Sequence, residues 1–311
     1  MGAVLEGIRL AVIGGDDREI YLIPELQKMG AEIFGLGLEK SPFGNSIEYV
    51  ASFKDIMAKN VDALIFPMFG ADERGLVKAK YSEKPIFLNK EVLECIPHGV
   101  PVFIGFARPL LKLAADQLKV TLIEVANRDE VAILNSVPSA EGAIQMAMEA
   151  TNITIHSSQS FVLGVGRTGL TLINMLKGLG AKVTAVARKP ADLARALEMG
   201  VNAVDFTRLK EEIAKAEIVF NTVPALVIDR AILDNMSREA VIIDLASIPG
   251  GTDFEYAQIL GIRAQLAPGL PGIVAPKSAG KILAKIYPQL ILQYLAPGRR
   301  RMTEGGAVGE I

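Results

Sequence analysis

Short apolar runs recur through the first half of the chain, at "IRLAVIG", "AEIFGLG", "VDALIFP", "VPVFIGF" and "VTLIEVA", with helical periodicity between them. Strands that alternate with helices predict a parallel sheet covered on both faces. In "REIYLIPELQKMG" the apolar positions Ile20, Ile23, Leu26 and Met29 share one helical face, and Gly30 is placed to end the helix. The pattern "PSAEGAIQMAMEAT" then reads as a helix over 138–151, capped by Ser139, that connects this half to a second one.

There the alternation restarts, with strands at 160–163, 182–187, near 202, 217–222, 240–245 and 262–266 and helices at 169–179, 190–199 and 207–215. Six strands with intervening helices fit a dinucleotide-binding fold. The expectation is an α/β protein of two doubly wound parallel-sheet domains, the second a Rossmann domain. Residues 1–137 form the first domain, 138–296 the second, and 297–311 a flexible tail. A last helix near 275–296 is long enough to pack back on the first domain, and Pro288 should kink or divide it.

The stretch "FVLGVGRTGLTLINMLKGLGAKVTAVARKP" carries the clearest chemistry. Gly164, Gly166 and Gly169 follow a strand and open a helix, the setting that a G-x-G-x-x-G turn requires. Gly164 permits the tight turn, Gly166 lets backbone approach a pyrophosphate, and Gly169 lets the helix sit close to the sheet. Arg167 and Thr168 complete the turn at the helix N-terminus, whose N–H groups and partial positive charge suit phosphate.

The second strand ends at Ala187, and Arg188 stands where many such folds place a ribose-binding carboxylate. A guanidinium there favours a 2′-phosphate, and Lys189 adds a second charge, so NADP is expected over NAD. Further residues follow strand ends, where ligands gather in open α/β sheets. Asn221, Thr222, Val223 and Pro224 can reach ribose and nicotinamide. Asp244 and Ser247 lie in "IIDLASIPGGTDF", where Thr252 or Asp253 can cap the next helix. Lys277 opens the last helix, a suitable place for an anion.

Composition narrows the classes. A chain of 311 residues buries roughly three quarters of its unfolded surface. Half of it is hydrophobic and 22% charged, which excludes a disordered protein. A net charge of −2 gives no broad field for nucleic acid, and the dense cationic run Arg299-Arg300-Arg301 lies in the tail. Cys95 is the single cysteine, so no disulfide framework or thiolate metal cluster is expected, in keeping with a reducing cytoplasm. No run of 18 apolar residues exists to span a bilayer, and "MGAVLEGIRL" lacks a signal-peptide pattern.

Four segments together resemble the dipicolinate synthase A-subunit family: "AVIGGDDRE" at 11–19, "GVGRTG" with "AVARK" at 164–189, "DLASIPGGTDF" at 244–254 and "LAPGLPGIVAPKSAGKIL" at 266–283. The resemblance spans nearly the whole chain apart from the basic tail. It implies NADP-dependent oxidation of a dihydrodipicolinate-type ring to pyridine-2,6-dicarboxylate in the mother-cell cytoplasm during sporulation, with the B-subunit of dipicolinate synthase as partner. A flat dicarboxylate substrate calls for positive groups in a cleft between the domains. Arg18 and Arg108 in the first domain and Lys277 in the second are the candidates, with Ser247 beside them.

His98 and His156 are the only histidines, and either can move a proton near neutral pH. Two-domain 2-hydroxy-acid dehydrogenases place a catalytic histidine late in the cofactor domain, and none follows residue 156 here. An alanine-type amino-acid dehydrogenase, whose loop is similar to "DLASIPGG", stays open as an alternative. So does a non-catalytic NADP-binding regulatory subunit.

Overall fold

The computed structural model describes residues 3–295. The expected tail and its three arginines lie outside them. The chain divides into two units, one built from its N-terminal part through Val131 together with the chain from Ala275 onward, the other from Ala132–Val274.

In the first unit the strands are β1 (Arg9–Ile13), β2 (Glu32–Leu36), β3 (Glu48–Tyr49), β4 (Ala63–Ile65), β5 (Leu76–Val77), β6 (Ile86–Phe87), β7 (Val102–Ile104) and β8 (Leu122–Glu124). Helices α1 (Asp17–Lys28), α2 (Phe53–Ala58), α3 (Lys90–Glu94) and α4 (Pro109–Leu118) lie between them. Strands β5 and β6 make a small antiparallel hairpin, and the other six form a parallel sheet ordered β3-β2-β1-β4-β7-β8. Alternate residues of β1 serve different faces: Leu10 and Val12 join one apolar cluster, Ala11 and Ile13 another. A strand buried on both faces must read as a continuous apolar run, which is why "LAVI" shows no polar alternation.

Helix α5 (Asp129–Ala150) leads into the second unit. Next come β9 (Gln159–Leu163), α6 (Arg167–Gly178), β10 (Lys182–Ala187), α7 (Pro190–Glu198), β11 (Asn202–Asp205), α8 (Leu209–Glu212), β12 (Ile218–Asn221), α9 (Arg230–Leu233), β13 (Val241–Asp244), α10 (Phe254–Ile259), β14 (Arg263–Leu266) and α11 (Leu270–Val274). Its parallel sheet is ordered β11-β10-β9-β12-β13-β14. Apart from the hairpin, the two sheets therefore share one winding, and in each the order reverses beside the first strand. That reversal opens a crevice beyond the carboxyl ends of β1 and β4, and of β9 and β12. Both units are doubly wound α/β domains, as the strand and helix pattern implies.

Three local expectations change. Helix α5 begins at Asp129 rather than Pro138, because Asp129 and Glu130 suit the positive N-terminal end and Val131 starts the buried face. Ser139 is thus interior, and its hydroxyl donates to the Asn135 carbonyl at 2.8 Å instead of capping. The glycine-turn helix starts at Arg167, two residues before Gly169.

The last helix, α12 (Pro276–Tyr294), belongs to the first unit and runs through Pro288 without dividing. Burial holds it together: Leu283, Tyr287, Leu290 and Ile291 enter the same apolar cluster as Leu22, Leu26 and Phe103. The Phe103 ring meets Tyr287 edge-on, with centroids 5.9 Å apart. No helix among the described residues is long and apolar enough to cross a membrane.

Close packing of α12 on α1 sets a steric limit at Gly280. A Cβ there would fall 2.4 Å from the Arg18 carbonyl oxygen and 2.9 Å from the Tyr21 Cβ. Alanine inside a helix ordinarily stabilises by about 1 kcal/mol relative to glycine. Gly280→Ala is expected to do the opposite, losing about 1–3 kcal/mol through overpacking, as measured by urea unfolding.

Candidate functional site

The second unit presents its chemistry at the carboxyl ends of β9, β10, β12 and β13. Gly164 has φ +95°, and a Cβ on it would lie 2.4 Å from the Thr222 hydroxyl and 3.0 Å from the Val223 methyl. The turn after β9 and the turn after β12 thus cross too closely for any side chain at 164. A Cβ on Gly169 would lie 2.0 Å from the Gly164 carbonyl, so α6 can start directly against the turn only with glycine.

Gly166 is different. Its Cβ would meet nothing within 4 Å, so its glycine leaves the backbone bare toward open space. It is also the N-cap of α6, whose first turn has no side-chain cap and no acidic residue. A helix N-terminus with uncapped N–H groups and an approachable backbone is what a pyrophosphate requires. Arg167 is exposed and Thr168 half-buried in that first turn.

Beyond β10, Arg188 and Lys189 are exposed, and neither side chain has an ion-pair or hydrogen-bond partner among the described residues. No carboxylate stands at Arg188 to repel a phosphate.

Asn221 and Asp244, expected to touch the cofactor, are both fully buried and form a tie between neighbouring strand ends. The Asn221 amide donates to Asp244 Oδ1 at 3.0 Å and to the Val223 carbonyl at 3.1 Å, and its oxygen accepts from the Val223 N–H at 3.0 Å. Asp244 also accepts from the Ala246 N–H at 3.0 Å, the Gly251 N–H at 2.8 Å and the Thr252 hydroxyl at 2.7 Å. Its oxygens are consumed inside the chain. What this leaves at the surface is the rest of each turn: Val223 half-buried, Pro224 and Ser247 exposed, and Ile248 69% exposed. Asp253, not Thr252, caps α10 by accepting from the Tyr256 N–H at 2.9 Å.

In the first unit the turn after β1 is closed by its own acids. Asp16 caps α1 and accepts from the Arg18 N–H at 3.1 Å, while Glu19 reaches back to the Asp16 N–H at 2.6 Å. Arg18, expected among the cations that meet the substrate carboxylates, is only 5% exposed and binds Asp16 with Nε and Nη2, both at 2.9 Å. Burial alone would raise the Asp16 carboxyl, but the Arg18 hydrogen bond and charge outweigh it and hold it below its usual range. Burial pushes Glu19 up to about 7 against the pull of Arg18.

Arg108 is exposed at the start of α4 and lines a cleft of about 210 Å³ with Arg74, Asn89 and Leu110. Lys277, expected on the second domain, lies exposed in the first turn of α12 and so belongs to the first unit. His98 and His156 are exposed at the amino-end side of β7 and β9, the edge away from both crevices. Among the described residues no group of three or more His, Cys, Asp or Glu is arranged to hold a metal. The residues that motif spacing did not single out are Asp16, Glu19, Phe69 and Lys78. Only the first two had a sequence signal, the D-x-x-E capping pattern.

A family model described as the N-terminal domain of the dipicolinate synthase A-subunit matches residues 9–126, and one described as the alanine dehydrogenase/PNT C-terminal domain matches residues 134–259. The dipicolinate synthase A-subunit of Bacillus subtilis (strain 168) is 39% identical over 293 residues, 94% of this chain and 99% of its own length. The crystal structure of the dipicolinate synthase A-subunit from Bacillus halodurans superposes with a TM-score of 0.88 at 38% identity, covering 92% of this chain and 98% of that one. The apo-structure of D-lactate dehydrogenase from Escherichia coli shares the fold, with a TM-score of 0.62 at 17% identity over 91% of this chain and 96% of that one.

Two stability measurements test these geometries. Asp244→Ala leaves four donors of a buried network without their acceptor and is expected to cost about 3 kcal/mol in urea unfolding. Glu19 holds its proton in the folded chain between the ordinary value of 4.5 and about 7, where the unfolded chain has released it. Its contribution is complete below that window and is lost as pH rises through it. Unfolding free energy should fall by on the order of 3 kcal/mol from pH 4.5 to 7 on this account, and Glu19→Gln should remove that slope. Asp16, held low, acts below the window.

Proposed function

The chain belongs to the dipicolinate synthase A-subunit family and its second unit is an NAD(P)-binding domain of dehydrogenase type; from that premise we propose that it oxidises a dihydrodipicolinate-type ring to pyridine-2,6-dicarboxylate with NADP. The observation that carries the choice of cofactor is the unpaired Arg188-Lys189 corner just past β10. The residues fit the group: an uncapped α6 N-terminus, a bare backbone at Gly166 and two cations free to bind phosphate.

In this reading the N–H groups of Arg167, Thr168 and Gly169 hold the pyrophosphate. Arg188 and Lys189 bind the 2′-phosphate with charge-assisted hydrogen bonds. Thr222, Val223 and Pro224 line the way to the ribose and nicotinamide, with Asn221 and Asp244 fixing the turn from behind. Ser247 offers a hydroxyl on the neighbouring loop. When bound, the nicotinamide accepts a hydride from a ring carbon.

The ring also loses a proton to solvent, and its gain of aromaticity lowers the need for a strong base. That suits a chain whose histidines stand on the opposite edges of the sheets. Arg18, Arg108 and Lys277 are the cations we assign to recognising the substrate carboxylates, a task of placement more than of proton transfer. The partner is a second polypeptide, the B-subunit of dipicolinate synthase, and the setting is the cytoplasm of the mother cell during sporulation.

Purified protein mixed with the dihydrodipicolinate precursor and NADP should produce NADPH, followed by absorbance. Turnover only after adding the B-subunit points to a shared site, and none in either case points to a regulatory protein that binds NADP without chemistry. Arg188→Asp should weaken NADP binding by roughly tenfold to a hundredfold. An unchanged dissociation constant in that variant would refute the choice of cofactor.

A further inference from the structure

At the first unit's own crevice, between the ends of β1 and β4, two cations share one aromatic ring. Phe69, beyond β4, is 36% exposed. The Arg18 guanidinium carbon lies 5.0 Å from its centroid, and the Lys78 ammonium 4.2 Å. Asp16 holds both cations in place, Arg18 through two bonds and Lys78 by an ion pair at 3.7 Å.

Backbone pairing fixes the segment that carries Lys78. The Gly15 N–H donates to the Lys78 carbonyl at 2.7 Å, and the Lys80 N–H to the Gly15 carbonyl at 2.9 Å. At Gly14, with φ +63°, a Cβ would stand 2.7 Å from that same Lys78 carbonyl, so the register depends on glycine.

The cluster is not neutral within itself. One Asp16 carboxylate faces two cations with Glu19, raised to about 7 and so only partly ionised near neutral pH, beside it, while the neighbouring Asp17 is matched by Lys80 at 2.6 Å. A guanidinium has five N–H donors. Arg18 spends Nε and Nη2 on Asp16, and no described residue accepts from Nη1, although its side chain is only 6% exposed. Asn135 Oδ1 is the one sealed side-chain polar atom without a partner among the described residues, so Nη1 reaches solvent. A nearly buried arginine thus keeps donors open beside a half-exposed lysine and an aromatic face.

We propose that Arg18, Lys78 and Phe69 form a seat for a carboxylate borne on a planar ring: the carboxylate accepts from Arg18 Nη1 and Lys78 Nζ, and the ring packs against Phe69. Asp16 is the positioning residue that holds the two cations at that spacing. The inference rests on the pyridine-dicarboxylate reading above and deepens it by assigning residues to the recognition of the acid.

The full-length protein, with and without saturating NADP, is titrated calorimetrically with pyridine-2,6-dicarboxylate. Lys78→Ala, a half-exposed position, should weaken binding by about tenfold to a hundredfold. Phe69→Leu should weaken it by about twofold to tenfold, and both variants should keep the wild-type affinity for NADP. Dicarboxylate affinities within about twofold of wild type in both variants, or no binding to wild type in either condition, overturn the seat. NADP binding measured on the same samples tells the two readings apart, since its loss in wild type sinks the cofactor reading while leaving a Lys78-dependent dicarboxylate site standing.

Discussion

The first N–H groups of a helix have no partner inside it, and this protein meets that constraint in two opposite ways. Both units wind their strands in the same order and place a helix N-terminus at the same point of the crevice. In the second unit α6 is left uncapped behind a bare glycine, with no acid in its first turn. In the first, Asp16 and Glu19 close α1 from within, and Asp16 then gathers Arg18 and Lys78 around itself. One winding therefore yields an uncapped, acid-free helix start in one unit and an acid-capped, cation-bearing turn in the other. The difference lies in a few side chains and not in topology.

Behind the glycine turn, buried polar bonds do what apolar packing cannot. The strand-end turns beyond β12 and β13 are short and irregular, and a hydrophobic contact would leave their N–H groups unmatched. Asp244 supplies acceptors for two of those N–H groups, the Thr252 hydroxyl and the Asn221 amide together. A network that is satisfied throughout specifies one arrangement of both turns. Exposed neighbours such as Ser247 and Pro224 inherit their positions from it.

Much of this was legible along the chain, and the reasons are physical. The three glycines of the "GVGRTG" turn each meet a separate steric demand, so their spacing carries the geometry with it. Strands buried on both faces announce themselves as unbroken apolar runs. Pro138 misled because proline favours a first helical turn, while the true start at Asp129 depends on where buried Val131 packs. Asp244 read as a ligand because a carboxylate at a strand end looks the same in sequence whether it faces solvent or a partner 23 residues away. Phe69 and Lys78 carried no signal, since only the crossing of β4's end, the hairpin and the β1 turn brings them to Arg18.

The return of α12 to the first unit has a consequence for synthesis. Leu283, Ala284, Ile286, Tyr287, Leu290, Ile291 and Leu295 complete a core whose other buried members come from the first 131 residues. The second unit is one uninterrupted stretch, Ala132–Val274, and all of its apolar clusters are present once that stretch has emerged from the ribosome. The segments of the second unit's core are thus complete before those of the first unit's, against the usual N-to-C order. Until α12 emerges, the sheet face that α1 covers lacks the remainder of its apolar packing.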